Sequence, residues 1–154
     1  MLYSFDKNFE ELPQTIPLFP LSKVLLLPRA KLPLNLFENR YLHMLDYALA
    51  NDKYIGMIQP REKTNKDSNK NPKLYEIGCA GQITAFSETN DKRYELILKG
   101  TCRFRIKKKK KKINGFRSAD VQWNEFKNDL KEFQLPNREK RNDFENLLKI
   151  FLKK

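Results

Sequence analysis

Apolar residues in the first quarter of the chain fall in two short runs broken by proline, Ile16-Pro-Leu-Phe-Pro-Leu21 and Leu32-Pro-Leu-Asn-Leu-Phe37. Proline has no N–H to give to a central ladder, so the runs predict two paired strands of edge type. From Asn39 the period changes. Tyr41, Leu42, Leu45, Ala48 and Leu49 share one face of a helix that ends near Ala50. Tyr54–Ile58 reads as a short strand. Alternation returns with Tyr75, Ile77, Cys79, Gly81, Ile83 and Ala85 on one face and Glu76, Gln82 and Thr84 on the other. The polar stretch Glu88–Arg93 predicts a hairpin loop, after which Tyr94, Leu96 and Leu98 resume the pattern. Cys102, Phe104 and Ile106 point one way and Arg103, Arg105 and Lys107 the other. Phe116–Phe126 completes the strands, with Val121 and Trp123 sharing a face. A helix from Pro136-Asn137 closes the chain, and its Phe144, Leu147, Leu148 and Phe151 have the spacing of a buried stripe.

Six or seven short strands, one early helix and one C-terminal helix predict a β-dominated α+β fold. Closing the strands into a partly open pseudo-barrel is the economical way to protect their edges. The predicted organisation is a β unit over residues 1–135 followed by a helix over 136–154. Residues 61–73 contain no core-forming side chain and read as a solvated loop.

Composition narrows the function classes. A chain of 154 residues with 40% hydrophobic and 12% aromatic content can bury a core and is not of the disordered type. No window approaches the roughly 20 apolar residues of a membrane span. The N-terminal residues lack a basic segment followed by an apolar one, so the expected location is cytoplasmic, with no membrane partner. Cys79 and Cys102 are too few for a disulfide framework or a zinc site, and both fall in strand patterns that predict buried thiols. The net charge of +12 is lopsided: residues 1–60 hold six Lys+Arg against six Asp+Glu, and residues 61–154 hold 25 against 13. Such a basic half suits nucleic acid, an anionic surface or an acidic protein without choosing among them.

Candidate chemistry is sparse. His43 is the only histidine, with no partner pattern for a triad or a metal, so no catalytic residue, metal or cofactor is expected. Glu38 and Arg40 read as structural charges at a helix start. Arg103, Arg105, Lys107, Lys109 and Lys111 form a candidate face for an anionic partner. The run Lys107–Lys112 reads better as a solvated hairpin tip that protects an edge, because few aromatic residues interleave with it for base stacking. The strand edges around Leu18, Phe19, Leu34, Leu36 and Phe37 could take an extended polypeptide by strand addition, or be core.

Three blocks carry a resemblance. They are Pro17-Leu-Phe-Pro-Leu21, then Leu32-Pro-Leu-Asn-Leu-Phe-Glu-Asn-Arg-Tyr41 with Met44, then Ile77-Gly-Cys-Ala-Gly-Gln-Ile83 through Gly100-Thr-Cys-Arg-Phe-Arg-Ile106. In order and spacing they resemble the N-terminal, substrate-binding domain of the Lon protease family in its stand-alone bacterial form. The resemblance implies a PUA-like pseudo-barrel followed by helices, and capture of unfolded or tagged polypeptides. It implies no ATPase or protease here, since the chain has no G-x-x-x-x-G-K-[ST] phosphate loop and too little length for a protease domain. Arg29 stands where relatives often have glycine, and Asn35 where they often have histidine. The family's helical region runs on past the point where this chain reaches Lys154. The terminal stripe therefore must find the barrel, a second copy or a partner, which predicts a homodimer through this helix or a truncated product. The expected function is a non-enzymatic polypeptide-binding module, an adaptor or accessory factor in protein quality control. The alternative is an RNA or other nucleic-acid binder using the basic half, and a third reading is a regulatory fragment with no ligand of its own.

Overall fold

Six strands form one mixed sheet in the computed structural model, which describes residues 9–61, 72–131 and 138–152. They are β1 (Thr15–Pro20), β2 (Lys31–Leu36), β3 (Tyr54–Ile58), β4 (Ile77–Glu88), β5 (Tyr94–Lys109) and β6 (Arg117–Gln122). Helix α1 (Asn39–Ala50) joins β2 to β3, a 3-10 segment spans Asn124–Leu130, and α2 is Arg138–Leu152. The order is β2-β5-β4-β3-β1-β6, and β6 also pairs with β5. Strands β5, β4, β3, β1 and β6 therefore close into a ring, and β2 is added outside it on β5. The architecture is the β-dominated α+β fold that the alternation predicts.

The two proline-broken strands do not pair with each other. β1 lies between β3, in parallel, and β6, antiparallel, while β2 pairs with β5. The prolines survive in β1 because its two neighbours overlap only at Leu18. Pro17 faces Ser118 of β6 alone, and Pro20 faces Ile58 of β3 alone, so each proline has an open side for its missing donor.

The core has two parts. Met44, Leu45 and Ala48 of α1 pack with Phe19, Leu36, Leu96 and Leu98. Ile16, Leu18, Phe104, Val121, Trp123 and Phe126 form the second cluster. β5 passes from one to the other at Gly100, where the connection after β1 crosses it: Arg29 N–H donates to Gly100 O at 2.7 Å and Gly100 N–H to Ala30 O at 2.8 Å. A Cβ on Gly100 would lie 2.0 Å from the Leu27 carbonyl oxygen, so only glycine admits this crossing. Cys79 and Cys102 are buried, and loss of hydration pushes both thiols up to about 12, which leaves them protonated core groups.

Other expectations need correction or lie outside the described residues. Tyr75 and Ile77 are 49% and 42% exposed rather than core, because no described element covers the start of β4. A register shift between Ile83 and Ala85 turns the strand and leaves Ala85 exposed. In α2 the stripe forms but is not buried: Phe144, Leu147, Leu148 and Phe151 are all exposed in this chain. The helix start at Pro136-Asn137 and most of the loop at 61–73 lie outside the described residues. No described helix is long and apolar enough to cross a membrane.

Candidate functional site

Alternation along β2 sends Leu34 and Leu36 into the core and leaves Lys31, Pro33 and Asn35 outside. The chain then turns at Phe37-Glu38 into α1, which brings Tyr41 against Phe19 of β1. Their rings stack with centroids 4.3 Å apart and planes at 7°. Between the end of β1, strand β2 and the start of α1 an apolar groove of about 360 Å³ remains. Phe19, Leu34, Leu36 and Tyr41 form its floor, while Leu21, Val24, Leu32 and Phe37 contribute its more open walls. Phe37 is 61% exposed at the rim, with the Arg93 guanidinium 5.4 Å from its ring centroid. Arg40 lies 4.7 Å over the Tyr41 ring and donates from Nε to Glu38 at 2.8 Å. The arrangement can take an apolar side chain and offers polar groups at one end to orient it.

Of the five apolar residues singled out in the sequence, Phe19, Leu34, Leu36 and Phe37 line this groove. Leu18 does not. Only 1% exposed, it points into the other cluster, because adjacent residues of a strand face opposite sides. Strand addition on β2 is also restricted. Gly100 N–H donates to Ala30 O, so alternation turns positions 31, 33 and 35 away from β5. The middle one is Pro33, which has no N–H, so the open edge lacks its central donor.

The basic candidates divide. Arg103 gives two guanidinium bonds of 2.9 Å to Asp129, whose Oδ2 also accepts from the Arg103 backbone N–H at 3.0 Å. Arg105 bonds Glu125 at 2.5 Å and Glu76 at 3.1 Å. These bonds hold the Asp129 and Glu125 carboxyls below their usual range. Both arginines are thus engaged by carboxylates of this chain. Lys107, Lys109 and Lys111 are exposed along one arm of the β5–β6 hairpin. Its tip is Asn114-Gly115, with φ of 48° and 87°, as a tight turn requires.

Sequence reasoning missed Leu21, Val24, Leu32 and Tyr41 as groove residues. It also missed a second shallow concavity of about 500 Å³ that includes Leu25, Tyr75 and Ile77. A signal was present: Val24-Leu-Leu-Leu27 is a four-residue apolar run outside any strand, and only Leu26 of its leucines is buried. His43 is exposed on α1, and the described residues contain no cluster of three metal-ligating side chains.

The ring with an added strand is the fold of Lon N-terminal domains. It matches the "N terminal domain of Mycobacterium avium complex Lon protease" with a TM-score of 0.60 over 90% of this chain and 68% of that one, at 14% identity. It also matches a Lon N-terminal domain protein from Xanthomonas campestris, with a TM-score of 0.55 at 30% identity over 71% of this chain and 59% of that one. The chain belongs to the ATP-dependent protease La (LON) substrate-binding domain family, whose model matches residues 15–153. Among curated relatives, the Lon protease of Desulfosudis oleivorans is 27% identical over 105 residues, covering 68% of this chain and 13% of that protein. Lon protease 2 of Myxococcus xanthus is 27% identical over 99 residues, covering 64% of this chain and 12% of that protein. The matched segment thus spans about an eighth of these curated relatives.

Proposed function

We propose that this chain is a polypeptide-binding module that holds apolar side chains of unfolded segments in the groove between β1, β2 and α1. The observation that carries this reading is the exposed Phe37 above a buried floor of Phe19, Leu34 and Leu36. Membership of a substrate-binding domain family supports it. No catalytic step is assigned to the chain, and its role is that of an adaptor or accessory factor in protein quality control. Binding is assigned to the β unit of the division at residue 135, and the segment 136–154 is an extension of that unit. Affinity comes from apolar contact, because Pro33 interrupts the edge that strand addition would need.

The test is fluorescence anisotropy of a labelled, permanently unfolded polypeptide at low and at physiological salt, with unlabelled RNA as competitor. Binding is expected to saturate, to survive salt and to ignore RNA. Phe37→Ala should weaken it about fivefold, since an exposed phenylalanine gains only part of the roughly 1.5–3 kcal/mol of full burial. Replacing Lys107, Lys109 and Lys111 together by glutamine should leave it within about twofold, as screened surface charges contribute little. Binding that is erased by salt and by RNA would overturn the reading in favour of nucleic acid.

A further inference from the structure

The outer face of the sheet, behind the groove, carries a second concavity of about 470 Å³. Strand register builds its floor. Pro33 of β2 stands opposite Ile97 of β5, and Ile97 opposite Ala85 of β4, so three apolar residues form one row across the strands. The next row is polar: Asn35 stands opposite Glu95, and Glu95 opposite Ser87. All six are exposed, because alternation sends their neighbours Leu34, Leu36, Leu96 and Leu98 into the core. The register shift between Ile83 and Ala85 turns β4 at this place, and Phe86 remains 52% exposed at the side of the concavity.

The concavity and the groove meet at β2. Pro33 and Asn35 line both, so a single strand separates the two. That strand ends the order of the sheet and leaves its edge open. A chain lying along the edge would need the N–H that Pro33 lacks, whereas a chain passing over it needs no ladder. The same gap disfavours a second copy joined through β2. Crossing takes little length. Side chains on the two faces of a strand are separated by about 10 Å, the layer spacing of packed sheets. An extended chain covers at most about 3.3–3.6 Å per residue, so three or four residues make the crossing and two do not.

We infer that an extended polypeptide held in the groove passes over the β2 edge and seats a second apolar side chain on the row of Pro33, Ile97 and Ala85. The inference rests on the polypeptide-binding reading and adds a spacing rule to it. Two apolar residues three or four positions apart are preferred over one, and over two side by side. Asn35, Glu95 and Ser87 border the seat and offer acceptors to the N–H groups of the crossing backbone.

Three labelled, otherwise polar peptides titrated with the full chain test it by fluorescence anisotropy: one leucine, two adjacent leucines, and two leucines four positions apart. The spaced pair should bind about fivefold tighter than either of the others, the scale expected from partial burial of one more leucine within the same bound chain. Ala85→Glu, which puts a charge on the row from an exposed strand position, should remove that gain and leave binding of the single-leucine peptide unchanged. Ile97→Thr, which keeps the β-branched shape, should lower the gain about twofold. Equal binding of the spaced and adjacent pairs, or a gain that survives Ala85→Glu, would overturn the outer seat while leaving the groove in place. Self-association of the chain that Ala85→Glu abolishes would overturn it in favour of a second copy. Failure of all three peptides to bind would overturn both the seat and the groove.

Discussion

Asp129 shows how single charges are used in this domain. Its carboxylate accepts three bonds from Arg103 and so ties the 3-10 segment after β6 back onto β5. The side chain of Asp129 is 9% exposed and that of Arg103 is 49% exposed, so water screens one side of the pair. Because the folded carboxyl is held below its usual range, the pair contributes fully above the unfolded value near ~4, and its contribution is lost as pH falls through the folded one. Asp129→Asn should therefore cost about 1 kcal/mol at pH 7, discounted for the exposed guanidinium, and progressively less toward pH 2. Denaturant melts at pH 7 and at stepwise lower pH check this; a stability loss independent of pH would contradict it. Residue-level chemistry was the least legible part of the sequence. Arg103 and Arg105 read as free cations because their acceptors lie 20 to 29 positions away and only the closed barrel brings them together.

At the scale of elements, local periodicity was a good guide and pairing was not. The period change at Asn39 places α1, and five consecutive core-type residues place β3, since both signals are contained within one segment. Strand partners are set by ring closure, which no local pattern encodes, so β1 and β2 read as neighbours and are not. The candidate groove was partly legible for the same reason. Leu34, Leu36 and Phe37 stand in one run, but the wall from Leu21 and Val24 is a connection with no repeating pattern. β2 also carries its own protection. With Pro33 in place the open edge offers outward donors only at Lys31 and Asn35. Pro33→Val would restore the missing N–H and raise strand propensity. Sedimentation velocity should then show concentration-dependent self-association beyond that of the parent chain; identical behaviour would argue against a blunted edge.

Taken as a whole molecule, the protein separates its apolar groove from its charge. The groove is formed by residues 19–41, within the half of the chain that is electrically neutral, while the excess of positive charge begins beyond residue 60. The proposed occupant is a polypeptide selected by apolar contact, since the groove lining is apolar apart from Asn35, Glu38 and Arg40. The central claim is that an unfolded polypeptide binds there and not along the lysine run. The most direct measurement is a two-dimensional amide NMR titration of the full chain with an unlabelled, permanently unfolded polypeptide at physiological salt. Shifts concentrated in Phe19–Val24 and Leu32–Tyr41 are the predicted result, whereas shifts concentrated in Lys107–Lys112 with the groove unchanged would contradict it.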